Sequence, residues 1–308
     1  IRLRPQDEVS AKSSLNRGIA AVVDCPNRWV ALDPERGSMA AVVESGRNLS
    51  CVGAEPIAIT NNLNFPSPET STGYWQLASS CRGLSEACKV LDTPVTGGNV
   101  SLYNETRLSN GKIQPIQPTP VVGMVGLVED LSFICDQSWK KSGDLIWLLG
   151  LPLERNMPLD PRVTLAASSY LECIHDLLTG RPPEIDLNLE KSIQSFLRKA
   201  IVNRYINSAH DISDGGIAIA LSECSISSGL GAHWEIPKSE HRLDRLLFAE
   251  GGARILISIS SEEEKAFQEL LNEVNDQDPE TVTATKIGTV KSESELLITQ
   301  MGNTLVRL

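Results

Sequence analysis

The sequence predicts an α/β (α+β) fold organised as two consecutive units. Three observations point to it. Residues 1–130 alternate short β-branched runs with amphipathic stretches. A polar stretch over 129–143 then ends in the turn Lys140-Lys141-Ser142-Gly143, and the apolar run Leu145–Leu149 starts afresh after it. A length of 308 residues is long for one core and comfortable for two. The expected domains are therefore residues 1–130 and 143–308.

In the first unit, 19–23 and 29–32 read as short strands around a Cys25-Pro26-Asn27 turn. Ser38 is expected to cap a helix that carries Met39, Val42, Val43 and Leu49 on one face, with Gly53 ending it. The next strand is 56–60, followed by a helix over 74–91 and a strand beginning at 94–96. Segments 102–103 and 113–116 read as hairpin arms around Ser109-Asn110-Gly111. The segment 121–128 reads as a buried strand in which Gly123 and Gly126 allow close packing. In the second unit, helices are expected at 163–178, 187–205 and 216–227. Phe267, Leu270, Leu271 and Val274 give another at i, i+3, i+4 and i+7 spacing. Strands are expected at 254–259, 282–290 and 296–298, and Glu262-Glu263-Glu264 reads as a solvated first helical turn.

Composition narrows the function. With 41% hydrophobic and 22% charged residues the chain reads as an ordinary globular protein. No apolar run reaches the roughly 20 residues that span a bilayer, and no signal-peptide pattern opens the chain. The first residue is Ile1 rather than Met, which predicts a piece of a longer polypeptide. Seven dispersed cysteines without a CxxC pair argue against a disulfide framework or structural zinc and for a reducing, cytoplasmic setting. A net charge of −11 without a basic stripe argues against a nucleic-acid partner. It leaves phosphorylated ligands open, because backbone N–H groups and magnesium can supply the positive charge.

Three motifs carry chemistry. Thr96-Gly97-Gly98-Asn99-Val100-Ser101 follows an expected strand: the glycines let a backbone approach a ligand, Asn99 offers oxygen to a hard cation, and Ser101 offers a hydroxyl. A polar turn accounts for the same residues. Asn61-Asn62-Leu63-Asn64-Phe65 follows another strand, and reads either as a ligand wall at a strand end or as an Asx-rich turn. His210-Asp211-Ile212-Ser213-Asp214-Gly215-Gly216 opens a helix; Asp211 or Asp214 is expected to cap it, and its free N–H groups suit phosphate. His210 has no evident acid–base partner in the sequence. The chain contains neither a Walker A loop nor a GxGxxG fingerprint.

These motifs, with Val43-Glu44-Ser45-Gly46-Arg47-Asn48-Leu49 and Leu102-Tyr103-Asn104-Glu105-Thr106, run in the order found in one family. The chain resembles, over essentially its whole length, the C-terminal half of the synthetase subunit of formylglycinamidine ribonucleotide synthase, in the aminoimidazole ribonucleotide synthetase superfamily. The resemblance implies a second-copy unit with an N-domain and a C-domain, the N-domains of the two copies pairing into a barrel-like core. It implies an ATP-dependent carbon–nitrogen ligase of purine biosynthesis that uses glutamine-derived ammonia. Its partners would be the first half of the same synthetase, a glutaminase subunit and a small accessory subunit, with a homodimer of the chain as a further option.

The resemblance also implies roles for individual residues: Asn61 and Gly98 for ATP, Asn99 for magnesium, Ser101 for the ribonucleotide substrate, and Asp211 for a second nucleotide or metal site. Asn61 stands where many relatives carry aspartate, and Glu250-Gly251-Gly252 stands where the first copy carries Glu-Ser-Gln. The family's catalytic histidines lie in the first copy, so no catalytic residue is expected here and the isolated chain is expected to be inactive. Two alternatives remain. One is a non-catalytic nucleotide-binding scaffold. The other is a complete enzyme of the superfamily, such as aminoimidazole ribonucleotide synthetase, a selenophosphate synthetase or a thiamine-phosphate kinase.

Overall fold

A computed structural model describes residues 1–3, 16–153, 159–277 and 281–308. Its first sheet has four strands in the order β1-β6-β2-β3, formed by β1 (Gly18–Asp24), β2 (Glu55–Asn64), β3 (Val95–Ser101) and β6 (Thr119–Val128). Strand β6 runs antiparallel to β1 and β2, and β3 is an edge strand parallel to β2. A parallel pair needs a crossover, which is supplied by α3 (Ser71–Leu91). The helices α1 (Asn27–Leu32), α2 (Pro34–Cys51) and α3 lie on the N-terminal half, and Val42, Leu49, Leu84 and Ala87 pack with Ile59, Leu63, Val122 and Met124 in its core. The short pair β4 (Glu105–Arg107) and β5 (Ile113–Pro115) stands apart.

The second sheet has seven strands in the order β15-β14-β10-β13-β7-β12-β9. They are β7 (Leu145–Leu149), β9 (Ser208–Asp211), β10 (Gly231–Glu235), β12 (Ile255–Ile259), β13 (Ala284–Lys291), β14 (Leu296–Gln300) and β15 (Asn303–Arg307). The run at β7 is apolar throughout because both faces are covered. Ile146 and Leu148 enter a core with Ile217 and Leu221 of α6 (Gly216–Ser228) and Leu246 and Leu247 of α7 (Leu243–Phe248). Trp147 and Leu149 enter another core with Ile193 and Phe196 of α5 (Leu187–Val202) and Phe267 and Leu270 of α8 (Glu264–Gln277). The pair β8 (Val163–Thr164) and β11 (Glu250–Gly251), with α4 (Ser169–His175) and a single 3-10 turn at Leu131–Phe133, completes the described elements.

The halves meet where α2 lies against α5. Gln194 donates to Val43 O at 3.2 Å and Arg198 to Ser50 Oγ at 2.8 Å. A Cβ on Gly46 would stand 2.6 Å from Gln194 Oε1, so the missing side chain makes the notch that the amide fills.

Several expectations are corrected. Residues 29–32 are helical, not a strand: α1 starts directly after Pro26, and Asp33 follows as the cap of α2, accepting from Arg36 N with Pro34 in the first turn. Ser38 therefore lies buried inside α2 rather than capping it. The helix expected over 163–178 shrinks to α4, because Val163–Thr164 pairs with Glu250–Gly251 and Ser168 caps the helix by accepting from Leu171 N. The hairpin arms shift to β4 and β5, with Tyr103 at φ +60° breaking the chain before them. Neither Asp211 nor Asp214 caps α6, whose N-cap is Gly215 with no side-chain cap. Helix α8 begins at Glu264, so only the last of the three glutamates is helical.

Candidate functional site

The asparagine and glycine motifs lie within strands rather than in turns after them. Strands β2 and β3 pair Asn61 with Gly98, Asn62 with Asn99 and Asn64 with Ser101. Side chains alternate across a strand, so this register splits the motif. Asn61 follows buried Ile59 and precedes buried Leu63, on the helix side. There it borders a cavity of about 510 Å³ lined also by Ser85, Cys88, Lys89 and Thr93. Gly98 serves that side: a Cβ on it would meet Asn61 Oδ1 at 2.2 Å.

The opposite face is open and presents Asn62, Asn64, Asn99, Ser101 and the backbone of Gly97, whose absent Cβ would meet nothing within 4 Å. Asn99 Nδ2 donates to Asn62 Oδ1 at 3.1 Å, so Oδ1 is the amide atom left over from that bond, a hard oxygen. Asn104 fixes Ser101, donating to its carbonyl at 2.8 Å and to Phe65 O at 3.2 Å. The structure thus brings Asn99 and Ser101 together and sets Asn61 on the other face. This open row holds no carboxylate, imidazole or amine, so it can bind and orient but not transfer protons. Among the described residues no group of three or more His, Cys, Asp or Glu is arranged to hold a metal ion. Asn99 offers a single oxygen of the kind magnesium takes.

Asp211 belongs to a second cluster, at the junction of the halves. Asp24 at the end of β1 accepts from Ser45 at 2.6 Å and Asn48 at 3.2 Å, both on α2. Arg47 of α2 pairs with buried Glu190 of α5, and its Nε lies 4.0 Å from Asp211 Oδ2. Both of those atoms are buried without a hydrogen-bond partner. Burial raises the carboxyls of Asp24 and Asp211 above their ordinary values and pushes Glu44 up to about 8. Burial also works against the charge of Arg47, but Glu190, Asp211 and Glu44 outweigh it and keep the guanidinium protonated. A cavity of about 890 Å³ opens beside the cluster, lined by Val22, Asn48, Asp136, His210, Asp211 and Ser227. His210 does have a partner, since its Nε2 lies 2.8 Å from Glu223 Oε2.

Of this cluster, the sequence assigns a role only to Asp211, although Glu44, Ser45, Arg47 and Asn48 lie in one of the motifs that carry the resemblance. The available signal is the spacing on α2, where Glu44 and Asn48 stand one helical turn apart with Arg47 beside them. Nothing local connects them to Asp24 or Glu190. Gly97 is a further addition: it, not Gly98, bares its backbone to the open face.

Comparison with known proteins agrees with this architecture. Residues 7–128 match the family model described as AIR synthase related protein, N-terminal domain, and residues 141–298 match AIR synthase related protein, C-terminal domain. The chain is 65% identical over 308 residues to the phosphoribosylformylglycinamidine synthase subunit PurL of Prochlorococcus marinus (strain MIT 9303), covering 100% of this chain and 39% of that protein. It is 60% identical over 271 residues to the corresponding subunit of Synechococcus sp. (strain WH7803), covering 88% of this chain and 35% of the relative. The chain thus spans about two fifths of the length of the first of these. Among solved structures, Thermotoga maritima PurL complexed with FGAR superposes with TM-score 0.72 at 17% identity, over 95% of this chain and 45% of that one. Thiamine-monophosphate kinase from Stenotrophomonas maltophilia gives TM-score 0.60 at 16% identity, over 94% and 87%. At these identities the likeness is one of fold.

Proposed function

Because the chain belongs to the AIR synthase related protein family, we propose that it is the second-copy, C-terminal half of a phosphoribosylformylglycinamidine synthase, with residues 1–130 as N-domain and 143–308 as C-domain. The reaction of the whole enzyme is the ATP-dependent conversion of formylglycinamide ribonucleotide and ammonia to formylglycinamidine ribonucleotide. ATP would activate the amide oxygen as an iminophosphate, and ammonia from a glutaminase partner would then displace phosphate. Such chemistry rests on positioning and on neutralising phosphoryl charge.

One observation carries this chain's share of that work. The open face of β2 and β3 is a row of neutral hydrogen-bonding groups without an acid or base. It suits one wall of a shared site whose proton-transferring groups lie in the first half. Asn99 Oδ1 would be one magnesium ligand and Ser101 Oγ would hold the ribonucleotide. Gly97 would let ligand rest on the backbone. Asn61 and Gly98 would meet ATP only where it reaches past the β3 edge, because they serve the opposite face. When bound, magnesium would neutralise phosphate charge. The seven cysteines are all free of disulfides, which supports a reducing, cytoplasmic setting.

A second reading is a nucleotide-binding module without turnover, and the junction cluster around Asp211 favours it. Mixing the chain with the first half and the glutaminase, and assaying formylglycinamidine ribonucleotide, separates the two. Restored synthesis that requires this chain supports the first reading. ADP binding by the chain with no contribution to synthesis supports the second.

A further inference from the structure

One buried carboxylate fills the place where the sequence promises phosphate. Glu250, on β11, accepts through Oε1 from the backbone N–H of Gly215 at 2.9 Å and of Ser169 at 2.7 Å. Gly215 is the N-cap of α6, a helix with no side-chain cap of its own. The other oxygen, Oε2, is buried without a partner, and the residue is only 1% exposed.

The local backbone delivers this group. Gly216 adopts φ +68°, and a Cβ there would meet Ala249 O at 2.8 Å and Leu247 O at 2.9 Å. Only glycine lets the chain just before Glu250 lie so close to the start of α6. Arg28 of α1 closes the outside by pairing with Asp214 and Glu172.

The start of a helix attracts anions because its first N–H groups lack partners and the helix dipole is positive there. A phosphate at α6 would compete for the N–H of Gly215. We propose that the Glu250 side chain is a built-in acceptor that keeps the phosphate seat at the start of α6 closed, so that a phosphate or phosphomonoester enters only when this carboxyl group is removed. The inference is independent of what the β2–β3 face binds. Burial pushes Glu250 up to about 7; the two N–H donors and Arg28 hold it down, while Asp214 pushes with burial. A ligand phosphate would meet the same surroundings, with Glu172 at the rim.

The test is inorganic phosphate titrated into the 308-residue chain at constant ionic strength, followed at the Ser169 and Gly215 amides by NMR and by Tm. Wild type and Glu250→Gln, which keeps an acceptor in place, are expected to show no phosphate-dependent shift at these amides. Glu250→Ala is expected to show saturable shifts at both and a Tm that rises with phosphate. A folded Glu250→Ala that ignores phosphate overturns the proposal, as does a wild type whose Gly215 amide responds equally. If Glu250→Ala does not fold, Glu250→Ser is titrated with inorganic phosphate in its place: saturable shifts at both amides support the proposal, and a folded Glu250→Ser that ignores phosphate overturns it.

Discussion

Arg47 of α2 and Glu190 of α5 form a buried ion pair that ties the half containing the four-stranded sheet to the half containing the seven-stranded one. Asp211 stands beside it at 4.0 Å. Removing one partner of a buried pair strands the other charge, at a cost of about 3–5 kcal/mol, whereas replacing both with apolar groups is often close to neutral. Arg47→Ala is therefore expected to lower unfolding free energy by about that amount, and Arg47→Met with Glu190→Leu to lose much less. Urea denaturation measures both; equal losses would remove the ion pair as the cause.

Stability is expected to fall as pH rises from about 4.5 to about 8, because burial lifts Glu44 from its ordinary 4.5 to about 8. Between those values the unfolded chain releases the proton and the folded chain keeps it, so unfolding is increasingly favoured. Glu250, raised to about 7, adds to the lower part of that window. Glu44→Gln should flatten the upper part and leave the variant more stable than wild type at pH 8. Superimposable stability curves for the two proteins would rule this out.

Neighbouring glycines on β3 should respond in opposite ways. Gly97→Ala projects into open space, so stability should stay within about 0.5 kcal/mol while activity in the reconstituted enzyme drops. Gly98→Ala meets Asn61 Oδ1 at 2.2 Å and Asn61 O at 2.7 Å, so the strand pair itself should loosen. Thermal melts paired with the reconstituted assay distinguish these outcomes. Full activity in Gly97→Ala would mean that no ligand rests on that backbone.

Asn99→Ala should sharply weaken synthesis in the same mixture, with magnesium dependence shifted to higher concentration. Unchanged activity and magnesium dependence would remove the metal role. The chain alone should turn over no substrate with ATP and ammonia.

Gly216→Ala should be far more damaging than Gly229→Ala. Both have positive φ, +68° and +72°, and both would incur the roughly 1–2 kcal/mol of left-handed strain. Only at Gly216 would the new Cβ also meet backbone, at Ala249 O and Phe248 C, both 2.8 Å away; at Gly229 it meets nothing within 4 Å. Comparable melting temperatures for the two variants would contradict the close approach.

Periodicity made α8 and β7 legible, since Phe267 and Leu270 repeat at helical spacing and Leu145–Leu149 is an unbroken apolar run. The C-terminal parts of β2 and β3 were not legible. Asparagine and glycine fit strands poorly and favour turns, and only pairing with β6 on one side and with each other holds 61–64 and 97–101 extended. That pairing decides which candidate residues share a face, so Asn61 and Asn99 could be named from sequence but not separated by it. The junction cluster draws on positions 24, 44–48, 190 and 211, a set no local pattern connects.

The Gly46 notch has a consequence for the descent of this protein. Gln194 occupies the volume a side chain at 46 would need, and it uses that position to reach Val43 O. A side chain at 46 forces the Gln194 amide out of its notch and away from Val43 O, so a larger residue at 46 favours a shorter one at 194. Across related sequences the two positions should change as a pair, although 148 residues separate them in the chain.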